Sequence, residues 1–249
     1  MAQTSSGHLK IFELKTFATD KELARAVTGL WLDKVLATSR EEDSHSVALS
    51  GGRIAKQFFI QIASQSVGRQ VSLGNVDFFW ADERCVPPTD PESNFVLANE
   101  NLFEPLKISP EKIHRLRGEL DPADAVTKAN ADILKTVPLT NLRQPSLDVV
   151  FLGLGPDGHV ASLFPNAFAE VLNCNSPFLH IENSPKPPSK RITLSYAAIA
   201  AAKEVWVLVS GEGKQNVLRE SLSESGNTPL ARVLKSRRQT KIFSDVQVQ

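Results

Sequence analysis

Short runs rich in β-branched and aromatic residues alternate along this chain with longer amphipathic stretches, and that alternation narrows the possible folds more than any other feature. Ser46–Ser50, Val76–Trp80, Leu147–Leu152, Phe178–Ile181 and Val205–Val209 read as strands of the nearly continuous apolar kind that a parallel sheet buries on both faces. Between them, Asp20–Thr38, Arg53–Gln65, Ser93–Phe103, Pro122–Thr136 and Gly213–Ser223 carry apolar residues at helical spacing, with Asp20 and Ser93 as candidate N-caps. The pattern predicts an α/β fold: a mostly parallel, doubly wound sheet with helices on both faces. Proline-marked loops at Pro87–Pro88, Pro105, Pro110, Pro138, Pro145 and Ser184–Ser189 are too short to act as interdomain linkers. The 249 residues therefore predict one domain, with disorder expected only at its start, about Met1–His8.

Charge removes whole classes of function. Lys and Arg number 28 and Asp and Glu number 28, so the basic excess that nucleic acids and membrane surfaces demand is absent. No apolar run approaches the roughly 18–20 residues that span a bilayer, and Met1–Lys10 has neither the basic nor the apolar region of a signal peptide. Cys85 and Cys174 are far apart and form no Cys-x-x-Cys pair, which reads as two reduced cysteines packed as small hydrophobes. A cytoplasmic location is the expectation. Arg237, Arg238 and Lys241 could form a binding patch, but in a neutral chain they fit better as a solvated face near a helix C-terminus.

In doubly wound sheets, ligands bind beyond the carboxyl ends of the strands, so the residues that follow each apolar run carry the information. Ser50-Gly51-Gly52-Arg53 follows Val47–Leu49 and opens a predicted helix at Arg53. Two glycines let backbone approach an anion while the helix's free N–H groups point at it, and phosphate is the obvious candidate. A tight strand-to-helix turn explains the tetrapeptide equally well. Asp82-Glu83-Arg84 follows Val76–Trp80 and sets a base, an acid partner and a guanidinium at the rim of the sheet. Most charge runs are solvated loops, and only its place at a strand end in line with the first site points to function.

Leu152-Gly153-Leu154-Gly155-Pro156-Asp157-Gly158-His159 follows the third run, and Gly153, Gly155 and Gly158 satisfy G-x-G-x-x-G, with Glu182 as a conceivable ribose acid. A dinucleotide site wants a long helix after the glycines, whereas Pro165 interrupts the chain and Asp157 sets negative charge where a pyrophosphate would lie. The run makes better sense as a rigid loop displaying the imidazole of His159, a side chain suited to proton transfer near neutrality. Arg191, at the head of Ile192–Ser195, and Lys214, after Val205–Val209, add a forked and a point-like phosphate donor. There is no G-x-S-x-G elbow, H-E-x-x-H or P-loop, and His8, His45, His114, His159 and His180 show no metal-ligand spacing. Metal-free attack by water is left standing; His45, His114 and His180 read as surface or packing residues.

Together these blocks resemble the 6-phosphogluconolactonase family. The matching stretches are Ser50-Gly51-Gly52, Asp82-Glu83-Arg84-Cys85-Val86-Pro87 with Ser93-Asn94, the run from Gly153 through His159 to Pro165, Pro185 to Thr193, and Gly211-Glu212-Gly213-Lys214, with weaker similarity over Pro229–Arg232. Arg53 departs from the pattern, since that family commonly has a small hydroxyl residue there. The resemblance implies a Rossmann-like fold shared with sugar-phosphate isomerases, a cytosolic location, and hydrolysis of 6-phospho-D-glucono-1,5-lactone with His159 as general base. Arg84 or backbone N–H groups would stabilise the oxyanion, and Asp157 would orient the loop or the ring. Ser50, Gly51, Gly52, Arg53, Asp82, Arg191 and Lys214 would hold the phosphorylated substrate. The expectation is a monomer acting on a small sugar-phosphate lactone, with no metal or other cofactor and no nucleic-acid or membrane partner.

Two rivals share the fold: an amino-sugar-phosphate deaminase or isomerase, and a non-catalytic sugar-phosphate sensor. In those deaminases a Phe-Asn-Glu-Pro run follows the histidine loop and Asp-Glu-Tyr follows the second strand. Here Ser162-Leu163-Phe164-Pro165 and Asp82-Glu83-Arg84 stand in those places. A sensor would need no poised base such as His159.

Overall fold

The structure, a computed structural model, describes residues 12–40 and 44–247. The expected disordered start, His8 included, lies outside the described residues. The chain runs β1 (Phe12–Thr16), α1 (Asp20–Arg40), β2 (His45–Leu49), α2 (Arg53–Gly68), β3 (Val76–Trp80), β4 (Asp82–Arg84), α3 (Asn94–Ala98), α4 (Glu104–Leu106) and α5 (Pro122–Thr136). It continues through β5 (Val149–Gly153), α6 (Ala169–Leu172), β6 (Phe178–Ile181), β7 (Arg191–Leu194), α7 (Tyr196–Ala201), β8 (Glu204–Val209), α8 (Gln215–Leu222), α9 (Pro229–Lys235) and β9 (Thr240–Ser244).

Six strands form one sheet in the order β1-β9-β8-β5-β2-β3, and every pairing in it is parallel. Every residue of β2 and β3 is buried, as it must be where helices cover both faces. Helix α2 shows how the sequence pattern becomes packing: Ile54, Ala55, Phe58, Phe59, Ile62 and Ser66 share one buried face. Trp31 of α1 is fully buried, with edge-to-face contacts to Phe58, Phe78 and Phe151, and its indole N–H donates to His45 Nε2 at 3.2 Å. Burying such a large apolar side chain contributes about 1.5–3 kcal/mol, and the indole's polar handle is satisfied at the same time. Helix α5 begins where local chemistry puts it: Asp121 caps it through a bond from Ala123 N (2.9 Å), and Pro122 occupies the first turn. None of the described helices is long and apolar enough to cross a membrane.

Several expectations need correction. Phe178–Ile181 is a strand, but it belongs to a second, antiparallel sheet of order β4-β7-β6. Phe178 is buried, but Leu179 and Ile181 are only partly so and His180 is exposed, which suits an edge rather than a doubly covered strand. Strands β1 and β9 were not expected, because their sequences, FELKT and TKIFS, mix charged and apolar residues. Lys241 sits in the inner strand β9 only because its ammonium reaches Glu204 at 2.8 Å and lies over the Trp206 ring. Strand β5 starts two residues later than Leu147, and Ser93–Phe103 is α3 followed by a π-helical turn at Asn99–Phe103. Ser93 is the N-cap expected, but in α1 it is the Thr19 hydroxyl, not Asp20, that accepts from Glu22 N.

Arg237 is neither a binding patch nor a solvated face. Its two terminal nitrogens donate to the carbonyls of Ile199, Ala200, Ala202 and Lys203, closing the C-terminal end of α7. Cys85 and Cys174 are both free thiols; burial, with the Glu182 and Glu83 charges, pushes the Cys85 thiol up to about 11.

Near the amino end of β3, His114 stacks on Phe79 and bonds Asp132 at 2.9 Å and Asp77 at 3.3 Å. Burial works to lower the imidazole's pKa, but the two carboxylates outweigh it, so the value rises above the ordinary 6.5. A raised folded-state value means the protonated ring stabilises the fold below the ordinary value, and that contribution is lost as pH climbs through the raised one. His114→Gln should therefore lower the unfolding temperature more at about pH 6 than at about pH 8. Thermal denaturation of the two proteins checks this, and a pH-independent gap would contradict it.

Candidate active site

Chain order along the sheet reverses between β2 and β5: from β2 the chain steps outward to β3, and from β5 it steps the opposite way to β8 and β9. Such a switch point opens a crevice at the strands' carboxyl ends. The two ends that meet there are Ser50-Gly51-Gly52 and Gly153-Leu154-Gly155, and Ser50 Oγ bonds the Phe151 carbonyl across them at 2.8 Å. The crevice is a cavity of about 250 Å³. It is lined by Ser50, Gly51, Gly52, Arg53, Asp82, Arg84, His159, Arg191 and Lys214, which are all of the expected site residues except Asp157.

Gly52 is the N-cap of α2 at φ 99°, in the left-handed region that favours glycine, and it lines the cavity together with Arg53 and Ile54 of the helix's first turn. Gly51 is required for a different reason: a Cβ there would collide with the Asn94 side chain, another wall of the cavity. Asn94 is placed by Glu83. The buried Glu83 carboxylate accepts from the backbone N–H groups of Arg84, Asn94 and Phe95 and from Ser93 Oγ. Burial pushes this carboxyl's pKa up and the backbone donors oppose it. The middle residue of the charge run is thus a brace between β4 and α3, and it does not line the cavity.

His159 sits in a loop folded back on itself. Gly155 N–H donates to the His159 carbonyl at 2.8 Å, and a Cβ on Gly155 would collide with the imidazole. The ring packs on Phe164 at 4.8 Å between centroids. Its Nδ1 is hydrogen-bonded to Asp157 Oδ1. A carboxylate only accepts, so Nδ1 donates in this bond, and in the neutral ring that arrangement leaves the lone pair on Nε2. Burial works to raise the Asp157 pKa, but the bonds and charge of His159 outweigh it and hold the value below the ordinary carboxylate one. Asp157 therefore acts on the ring and lines a neighbouring cavity, not the crevice itself.

The cations differ in how free they are. Arg84 donates to the Glu92 carbonyl and pairs with its carboxylate at 3.5 Å. Buried Arg191 donates from Nε to the Pro188 carbonyl (2.7 Å) and from Nη2 to those of Lys186 and Pro187, so it also organises the 186–188 loop. Burial and neighbouring Arg84 lower its pKa. Lys214 has no ion pair among the described residues, and burial together with the Arg53 charge lowers its pKa. Arg53 turns toward this end of the cavity, with its guanidinium against Gly211. Sequence reasoning gave Lys186 and Asn94 no role, although both line the cavity and both stood in matched stretches, Pro185 to Thr193 and Ser93-Asn94.

The sequence matches, over residues 18–242, the family model described as glucosamine-6-phosphate isomerases/6-phosphogluconolactonase. A 6-phosphogluconolactonase of Streptomyces coelicolor is 36% identical over 214 residues, covering 83% of this chain and 82% of the relative. Among solved structures, a 6-phosphogluconolactonase from Shewanella baltica superposes with a TM-score of 0.81 at 26% identity, covering 96% of this chain and 99% of that one. One from Trypanosoma brucei gives 0.80 at 26% identity, covering 93% and 95%.

Proposed function

The chain belongs to the family of glucosamine-6-phosphate isomerases and 6-phosphogluconolactonases, and from that membership we propose a lactonase whose crevice performs metal-free hydrolysis. It hydrolyses 6-phospho-D-glucono-1,5-lactone to 6-phospho-D-gluconate, a step of the pentose phosphate pathway. The observation that carries the mechanism is the Asp157–His159 bond at the edge of a cation-lined cavity. Asp157 keeps the proton on Nδ1, so Nε2 is the nitrogen available as base. Nε2 takes a proton from water as the water oxygen bonds to the lactone carbonyl carbon. Arg84 or the backbone N–H groups at the start of α2 meet the oxyanion. Collapse of the tetrahedral intermediate breaks the bond to the ring oxygen, and the imidazolium returns its proton to that oxygen. The phosphate is held by the Gly51-Gly52 turn with Lys214 and Arg191, and Arg53 adds charge at the same end.

The apolar Phe164 ring packs against the histidine, where a ring-opening deaminase would place an acid. The expected result is acid release from 6-phosphogluconolactone well above its spontaneous hydrolysis, with no ammonia released from glucosamine 6-phosphate above a no-enzyme control. Ammonia release at a rate comparable with lactone hydrolysis would reverse the assignment. A cytoplasmic location goes with this reading, supported by the two unpaired cysteines, and cell fractionation tests it.

A further inference from the structure

Asp82 is the only carboxylate among the described residues that line the crevice, in a site otherwise rich in cations. In such surroundings a carboxylate ordinarily pairs with the nearest guanidinium. Asp82 makes no ion pair among the described residues, because its neighbours are held elsewhere: Arg84 by Glu92, and Arg191 by the three carbonyls of the 186–188 loop. Arg191 is close enough for the Asp82 charge to favour its protonated form, yet not in contact.

What does hold the carboxylate is Ser162, three residues beyond the general base. Its hydroxyl donates to Asp82 Oδ2 at 2.7 Å, and its own N–H donates to Thr193 Oγ1 at 3.2 Å. Ser162 and Thr193 are fully buried, and Thr193 is the β7 residue paired with Asp82 of β4. The backbone carbonyl of Asp82 is fixed as well, by Asn94 Nδ2 at 2.9 Å. One carboxylate oxygen is therefore fastened from the histidine loop, and the other meets no protein donor among the described residues.

A carboxylate accepts hydrogen bonds and repels anions, so its free oxygen suits the hydroxyls of a polyhydroxylated ligand, not its phosphate. We propose that Ser162 is a positioning residue: it holds one oxygen of Asp82 so that the other recognises the hydroxyls of the sugar ring. The same bond ties the loop carrying His159 to the strand carrying Asp82, so ring recognition and the base keep a fixed separation. This inference rests on the lactonase reading of the crevice.

The test is a double-mutant cycle of Ser162→Ala and Asp82→Asn, with 6-phosphogluconolactone turnover, product binding and thermal unfolding measured for all four proteins. Asp82→Asn should lower kcat/KM by about 10- to 100-fold, mainly through KM, the range for hydrogen bonds to a charged group. Ser162→Ala should lower it by a smaller factor in the wild-type background and by almost nothing in the Asp82→Asn background. Both single variants should weaken binding of 6-phosphogluconate and leave inorganic phosphate binding unchanged, a split that a purely structural defect would not produce. Additive losses in the cycle, or equal weakening of 6-phosphogluconate and phosphate, would overturn the proposal. Failure of the wild-type protein to hydrolyse the lactone would instead overturn the reading on which it rests.

Discussion

His159→Ala is expected to lower kcat for 6-phosphogluconolactone by about 10²–10⁴-fold, the range for a lost general base, with KM little changed. The split follows from where the residue acts. In the proposed mechanism the imidazole meets the attacking water and the leaving ring oxygen, while binding would rest on the cations and the Gly51-Gly52 turn, which the substitution leaves alone. Asp157→Asn should act in the same direction with a smaller loss. An amide in place of the carboxylate can present its NH₂ to Nδ1, which favours the tautomer with the proton on Nε2, where it blocks the base. Prolonged chelation should leave the wild-type rate unaltered. Steady-state kinetics with the spontaneous hydrolysis subtracted measures all three, and near-normal kcat in His159→Ala would remove the histidine from the mechanism.

The phosphate anchor should show the opposite signature. Lys214→Ala is expected to raise KM for the phosphorylated lactone by about 10- to 100-fold, from hydrogen bonds to a charged group worth about 1.5–3 kcal/mol, while residual activity on unphosphorylated gluconolactone stays the same. Lys214 is the clean probe because it has no ion pair among the described residues and no structural bond that its removal would break. Arg191→Ala should combine the two effects. It raises KM and also lowers the unfolding temperature, since the guanidinium anchors three carbonyls of the 186–188 loop and its loss leaves them without that donor. Equal losses on phosphorylated and unphosphorylated lactone in Lys214→Ala would take the phosphate away from this end of the crevice.

The resemblance read from the Gly153–Pro165 run supplied the lactone; the residues alone supplied an anion site and a displayed imidazole. Strand-end reasoning worked because a doubly wound sheet delivers each loop to the same edge, so Gly51, Asp82, His159 and Lys214 converge from positions far apart in the chain. It misjudged Glu83, which looked like chemistry and is a brace, because a buried carboxylate with four donors and a catalytic one are spelled alike. Arg237 misled in the same manner, its carbonyl partners lying some way back in the chain.

Sequence by itself determined the strands β2, β3 and β8, helices α2 and α5, and the loop that carries the histidine, because those signals are local: continuous apolar runs, helical spacing, caps, and glycines between strand and loop. Tertiary structure alone decided that β1 and β9 complete the parallel sheet, that β6 leaves it for an antiparallel one, and that Asp82 is fastened by Ser162 from 80 residues away. The physical reason is that pairing and hydrogen-bond partners depend on which segments meet after folding. A charged side chain such as Lys241 or Asp82 is tolerated inside only when a partner supplied by a distant segment offsets its desolvation, and no local pattern records that partner.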